Sequence, residues 1–313
     1  MNKMNAIERV EKEKLGPALL MLSPTDYCNL SCKTCWRLRK NSTFSQPSFE
    51  FLKKIIEEAK ELKVNTIDLT GGGEPFLRKD ILKIMKIVKS EGISGTITTN
   101  ATLIDQKKVE EIVKMDWDEI KISLDGSTPN LNNYIRGKGV FEKAIEMIKM
   151  LEKEKKKKHS VFPNIRLCFT ITQKNAFDIP NFIKLASKLN IKEITFSPLF
   201  RWKTNREFWI RNEREIIKYM KEGLAISEKL KVKTNLLPMI KSFINHKLPK
   251  FCFAPWYMLF INANREAMVC CTLASLYQNR LGKVESLKKV WFGEKMKKIR
   301  ERMKKRKFFK ECR

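Results

Sequence analysis

The chain has 313 residues, with 64 Lys and Arg against 35 Asp and Glu for a formal net charge of +29, and 8 cysteines. That length holds one large α/β domain with a small appendage and an ample core. The N-terminus mixes charge signs and lacks the apolar stretch of a secretion signal, and the longest apolar runs, around Ala18–Leu22 and Phe253–Ile261, are too short to cross a bilayer. Cysteines without an export signal imply a reducing compartment and metal or redox chemistry, so a cytoplasmic protein with no stable membrane association is expected. The basic balance has two readings. One is an anionic partner such as nucleic acid, phosphate or an acidic peptide. The other is a general lysine bias spread over solvated helix faces.

From about Ala18 to about Asn235 a short apolar strand alternates with an amphipathic helix. The first predicted strand, Ala18–Ser23, leads into Tyr27-Cys28-Asn29-Leu30-Ser31-Cys32-Lys33-Thr34-Cys35-Trp36. Three thiolates this close can wrap one metal centre and leave it one ligand short. A structural zinc site wants a fourth Cys or His nearby, and the two histidines, His159 and His246, are remote in sequence. A 4Fe–4S cube tolerates the shortage, with its fourth iron open to a substrate or cofactor. Zinc, a disulfide fragment and unreacted thiols remain the alternatives.

A helix over Ser48–Leu62 and a strand over Thr66–Thr70 come next, and the strand runs into Gly71-Gly72-Gly73-Glu74-Pro75. Consecutive glycines at a strand end let backbone approach a ligand, and Glu74 adds a carboxylate for an ammonium group; a tight turn is the plain alternative. Helix Lys79–Glu91 and strand Gly95–Thr99 follow, with Thr99 and Asn100 at the strand end, where Asn100 is equally a turn or helix cap. Helix Asp105–Met115 precedes strand Glu119–Leu124, whose end carries Ser123 and Asp125, and Arg136 comes shortly after. A guanidinium suits a carboxylate through paired hydrogen bonds. Helix Val140–Lys156, strand Asn164–Thr172 (with Cys168 assigned to the core), helix Asp178–Leu189, strand Glu193–Pro198 and helix Arg211–Leu230 complete the series. The stretch Phe200–Arg211, after the sixth strand, interleaves aromatics with Arg and Lys, as a substrate surface or a packed cap would. Six strand–helix units predict a parallel sheet, doubly wound or curled into a barrel, with the working residues at the C-terminal strand ends.

After about Pro238 the alternation stops. The tail carries Cys252, Cys270, Cys271 and Cys312, with a helix predicted across Ser286–Lys307 from its apolar spacing. The boundary is placed at 236/237: residues 1–236 form the core domain and 237–313 a small cysteine-rich module.

Together Cys28, Cys32 and Cys35 (Cys-x3-Cys-x2-Cys) and Gly72-Gly73-Glu74 resemble the motifs of the radical S-adenosylmethionine superfamily. The resemblance implies an α/β fold, a partial (β/α)6 parallel barrel, and a 4Fe–4S cluster held by Cys28, Cys32 and Cys35. It also implies S-adenosylmethionine on the open iron, cleaved reductively to a 5′-deoxyadenosyl radical that abstracts hydrogen from a substrate. Gly72, Gly73, Glu74, Thr99, Asn100, Ser123, Asp125 and Arg136 are the implied cofactor contacts. Thr34 stands where the family usually has an aromatic residue and Trp36 follows it, so both are candidates for the adenine contact. The stretches Phe251–Trp256 and Asn262–Cys271 are similar to the start of a twitch or SPASM extension, with Arg265 at a position usually held by Gly. That similarity implies an auxiliary 4Fe–4S cluster on Cys252, Cys270 and Cys312, in the shorter single-cluster form. Cys271 is a spare, either an inert buried thiol or a hydrogen-atom donor to a substrate radical.

The expected function is oxidative or cross-linking maturation of a peptide or protein, with an electron donor such as ferredoxin or flavodoxin as partner. The small number of residues before Cys28 leaves no room for an N-terminal peptide-recognition domain. A small-molecule dehydrogenase or epimerase acting on a sugar or aminocyclitol, and an RNA-modifying radical enzyme, are the alternatives. An iron–sulfur carrier would have no use for Gly72–Glu74 or for Ser123 and Arg136.

Overall fold

The structure is a computed structural model that describes residues 3–38, 44–201, 203–245, 251–270 and 280–309. Its described residues fall into two compact units. The first draws on Met1–Cys28, Phe44–Ile97 and Leu248–Arg313, and the second on Asn29–Thr43 and Thr98–Lys247.

In the first unit β1 (Leu19–Leu22) pairs in parallel with β2 (Thr66–Leu69), Leu19 opposite Thr66, and β2 pairs in parallel with residues 94–97 of β3 (Ser94–Thr99). On the other side of β1 lies a strand from the tail, β8 (Met258–Ile261), also parallel, with Leu19 opposite Met258. The antiparallel strands β9 (Glu266–Met268) and β10 (Gly282–Lys283) extend that edge. The inner faces are apolar: Leu20, Leu22, Ile67, Leu69 and Leu259 have no exposed surface. Helix α2 (Phe49–Glu61) buries Leu52, Ile55, Ile56 and Ala59, a 3.6-period stripe, and starts at Ser48, whose Oγ accepts from the Phe51 N–H.

In the second unit β4 (Glu119–Ser123), β5 (Asn164–Ile171), β6 (Glu193–Pro198) and β7 (Lys233–Thr234) run parallel in that order. Helices α4 (Gln106–Lys114), α6 (Val140–Lys158), α7 (Ile179–Lys188) and α8 (Glu213–Lys229) bury their apolar stripes. The rings of Phe169, Phe182 and Phe196 pack at 4.7–6.4 Å between centroids, a spacing typical of offset and edge contacts.

The alternation read from the sequence is therefore present, and the α/β class with a mostly parallel sheet is confirmed. Two local readings are corrected. Ser286–Lys307 is not one helix but two, Leu287–Trp291 and Glu294–Lys304. A Cβ on Gly293, between them, would stand 2.5 Å from the Lys289 carbonyl oxygen. Helix α5 (Pro129–Arg136) was not anticipated, although Thr128 caps it and Pro129 opens it. No helix among the described residues is long and apolar enough to cross a membrane.

Candidate functional site

Each unit presents a cluster of the expected residues at the C-terminal ends of its parallel strands. In the first unit the glycine run after β2 lies against the chain that leaves β1. The Gly73 N–H donates to Thr25 O at 2.9 Å and the Glu74 N–H to Tyr27 O at 2.9 Å, while the Gly72 N–H reaches Ser23 Oγ at 3.3 Å. The approach is too close for side chains: a Cβ on Gly73 would stand 2.0 Å from Tyr27 O, and one on Gly72 2.0 Å from Asp26 Oδ1. These glycines are thus required for packing against the approach to Cys28. Glu74 is buried, and its Oε1 accepts from the Phe76 N–H at 3.0 Å, capping the short 3-10 turn Pro75–Leu77.

Arg78, at the end of that turn, was missed in the sequence. It is 4% exposed. Its Nη1 donates to Pro24 O at 2.8 Å and to Pro47 O at 2.7 Å, and its Nε and Nη2 pair with Asp80 at 2.8 and 2.7 Å. One guanidinium therefore holds the chain on both sides of the cysteine-bearing excursion. The Arg78 hydrogen bond lowers the Asp80 pKa below the ordinary carboxylate range.

In the second unit Cys32 and Cys35 share a turn closed by the Cys35 N–H donating to Cys32 O at 3.0 Å. This turn is tied to the end of α5: the Lys33 N–H donates to Ile135 O at 2.9 Å, the Cys32 thiol contacts Arg136 O at 3.6 Å, and Lys33 Nζ sits 3.5 Å over the Tyr134 ring. Arg136 is in ion-pair contact with the buried Asp125, Nε to Oδ2 at 2.8 Å. Burial alone would lower the Arg136 pKa, but the Asp125 carboxylate and then the Cys32 and Cys35 sulfurs outweigh it, and the net shift is upward.

Asp125 is itself well fixed. Its Oδ1 accepts from the Thr170 N–H at 2.8 Å, its N–H donates to Asn132 Oδ1 at 2.9 Å, and its carbonyl accepts from Asn175 Nδ2 at 3.0 Å. Asn132 and Asn175 are fully buried. Beside them the Asp178 carboxylate takes both the N–H and the Oγ of Ser127 at 2.6 Å, and burial raises its pKa. Ser123 is the last residue of β4, in register with Cys168. Thr99 and Asn100 make turn bonds: Thr99 Oγ1 accepts from the Ala101 N–H at 2.9 Å, and Asn100 Oδ1 from the Thr102 N–H at 2.9 Å. Asn100 Nδ2 also reaches Asn29 Oδ1 at 3.0 Å, which ties the residue after Cys28 to this turn. Trp36 opens the 3-10 turn Trp36–Leu38.

In the tail, Cys252 lies between Phe251 and Phe253, whose rings are 4.4 Å apart, and Phe251 stacks on the buried Trp256 at 5.4 Å. Arg300 donates through Nε to Pro255 O at 2.9 Å, and burial brings its pKa down to about 10. Cys270 follows β9 and is half-buried; Cys271 and Cys312 lie outside the described residues.

Among the described residues no three His, Cys, Asp or Glu side chains converge as a metal-ligating group. The donor set nevertheless suits an iron–sulfur cluster, because Cys32 and Cys35 are half-buried thiols on one hydrogen-bonded turn.

Two family models match the chain: the radical SAM superfamily over residues 22–165 and an iron–sulfur cluster-binding domain, SPASM, over residues 252–313. The chain thus carries a radical S-adenosylmethionine domain over residues 22–165 and a C-terminal SPASM domain over residues 252–313. A SAM-binding 4Fe–4S cluster and an auxiliary cluster are the cofactors these two domains imply. Within the superfamily it is similar to the mycofactocin maturase MftC of Mycobacterium tuberculosis, 28% identical over 182 residues, 58% of this chain and 45% of that protein. It is also similar to the Fe-coproporphyrin III synthase of Methanosarcina barkeri, 30% identical over 173 residues, 55% of this chain and 41% of that protein. The chain thus spans less than half the length of these curated relatives. Among solved structures, SuiB of Streptococcus suis bound to S-adenosylmethionine shares the fold, with TM-score 0.72 and 17% identity over 95% of this chain and 71% of that one. SuiB bound to its precursor peptide SuiA superposes at TM-score 0.70, with 19% identity over 93% of this chain and 68% of that one.

Proposed function

We infer that the chain is an iron–sulfur enzyme that cleaves S-adenosylmethionine reductively and oxidises or cross-links a peptide substrate. The observation that carries this reading is Arg136, whose carbonyl meets the Cys32 thiol at 3.6 Å and whose guanidinium is paired to Asp125 after β4, in a chain that matches both family domains. Cys28, Cys32 and Cys35 would hold the first cluster, which would supply the electron for reductive cleavage of the sulfonium. Arg136 presents positive charge to a cofactor carboxylate. Glu74, buried beside the glycine run, takes the cofactor ammonium. Thr34, Trp36, Thr99, Asn100 and Ser123 line the remaining cofactor contacts. Residues 1–236 form the core and 237–313 the auxiliary-cluster module, with Cys252, Cys270 and Cys312 as ligands and Cys271 as a candidate hydrogen-atom donor. Ferredoxin or flavodoxin is the electron donor.

The similarity to a maturase and to a peptide-bound SuiB supports a peptide substrate. The similarity to Fe-coproporphyrin III synthase supports a second reading, a small-molecule substrate. Anaerobic reconstitution tests the cofactor chemistry. Iron of about eight per chain supports two clusters and about four removes the auxiliary one. With reductant and S-adenosylmethionine the protein releases 5′-deoxyadenosine, and Glu74→Ala abolishes release while keeping the iron. Protein that takes up no iron and forms no 5′-deoxyadenosine overturns the reading.

A further inference from the structure

Asn205 lies in the stretch after β6 and is fully buried. The 3-10 segment Lys203–Phe208 breaks at this residue, where φ is −116° and ψ 25°. Its carboxamide joins three pieces of chain. Nδ2 donates to Phe200 O at 2.9 Å and to Thr34 O at 3.3 Å, and Oδ1 accepts from Trp209 Nε1 at 2.8 Å. Buried side chains with this many partners fix geometry, since each unmade bond leaves a desolvated polar group.

The bond to Thr34 has a consequence for the thiols. The Thr34 carbonyl and the Cys35 N–H belong to one planar peptide unit. The Cys35 N–H closes the Cys32–Cys35 turn by donating to Cys32 O. The two groups lie in that plane and point to opposite edges, so holding the Thr34 oxygen orients the Cys35 N–H and the turn bond it makes to Cys32 O. The same side chain holds both ends of the aromatic and basic stretch from Phe200 to Trp209, where Arg201 lies 5.9 Å over the Trp209 ring and Phe200 is exposed.

We propose that Asn205 is a positioning residue for the cysteine turn: it fixes the Thr34–Cys35 peptide and so the geometry with which Cys32 and Cys35 ligate the cluster. The inference rests on the reading that these cysteines hold the first cluster.

The test compares reconstituted wild-type protein with Asn205→Asp, Asn205→Leu and Trp209→Phe. Asn205→Asp keeps the acceptor for Trp209 and loses both donors, while Trp209→Phe removes the indole bond and keeps the donors. Asn205→Asp and Asn205→Leu should release cluster iron to a chelator about fivefold faster. They should also shift the g-values of the electron paramagnetic resonance signal that responds to S-adenosylmethionine, and Trp209→Phe should match wild type in both. Asn205→Asp decides if Asn205→Leu does not fold. Wild-type iron release and g-values in Asn205→Asp overturn the proposal, as does a Trp209→Phe protein that behaves like Asn205→Asp. Cluster-free protein separates this inference from the functional reading: mapped alkylation by iodoacetamide should be faster at Cys35 in Asn205→Asp, with Cys28 unchanged. Wild type that takes up no iron sinks the functional reading while the alkylation comparison still decides on Asn205.

Discussion

Ahead of Cys28, within the first unit, the chain is fastened mainly through backbone groups, with Gly73 and Glu74 N–H bonded to Thr25 and Tyr27 carbonyls and no room for a Cβ on Gly73. From Cys32 to Cys35, within the second unit, side chains carry much of the fastening: Asn205 on the Thr34 carbonyl, Lys33 over Tyr134, and the Cys32 thiol on the carbonyl of Arg136, which pairs with Asp125. The two modes of fastening set what each end tolerates. A backbone-held end accepts changes to its own side chains and fails when anything is added to the glycine opposite. A side-chain-held end has the reverse sensitivity, since single substitutions at Asn205, Lys33 or Arg136 remove its bonds.

The hardest blow to the first end is Gly73→Ala. The new Cβ would meet Tyr27 O at 2.0 Å and Asp26 C at 2.7 Å, both main-chain atoms that cannot rotate away. We expect a loss of about 3 kcal/mol or more in urea unfolding, together with reduced iron uptake. Gly92→Ala is the control: its φ is +68° and nothing lies within 4 Å of its Cβ position, so only the backbone cost of about 1 kcal/mol applies. Equal losses in the two variants would mean that contact at Gly73 is not what holds the approach to Cys28.

Much of this contrast was legible in the sequence, and what was not has a physical cause. The cysteines and Gly72–Glu74 announce themselves because their chemistry depends on local spacing. Asn205 and Arg78 do not, because their meaning lies in carbonyls 171 and 54 residues away. Most predicted helices overran by a residue or two because they took in capping residues such as Ser48, Leu62 and Asp105, whereas Val140–Lys156 stopped two residues short of Lys158. Helix α5 did carry a signal, Thr128-Pro129 at its start and Gly137 at φ +125° past its end, but its eight residues are too few for a clear period. The parallel pairing of β8 with β1 joins residues from opposite ends of the chain, which no local pattern encodes.

Arg78 qualifies the contrast, since it is a side chain working at the backbone-held end. Arg78→Met removes the donors to Pro24 and Pro47 and leaves the Asp80 carboxylate without its partner. The expected cost is about 2–3 kcal/mol by urea unfolding, because two carbonyls lose their hydrogen bonds in a buried place. Arg78→Lys should recover only part of it, as one ammonium cannot span two carbonyls and a carboxylate. Full recovery by Lys would show that charge alone is needed there.

Asp80 gives the smallest effect and the one with a pH signature. Its partly exposed carboxylate has its pKa lowered chiefly by the Arg78 hydrogen bond. A carboxylate with a folded pKa below the unfolded value of about 3.9 adds stability that is fully present above that value. The contribution disappears as pH falls through the folded pKa, where the group is protonated in both states. Asp80→Asn should therefore cost about 0.5–1 kcal/mol near neutral pH. The gap to wild type should close below about pH 4 in urea titrations of cluster-free protein, since acid dissolves iron–sulfur clusters. A gap that stays constant with pH would mean that Asp80 contributes shape rather than charge, leaving Arg78 to hold Pro24 and Pro47 unaided.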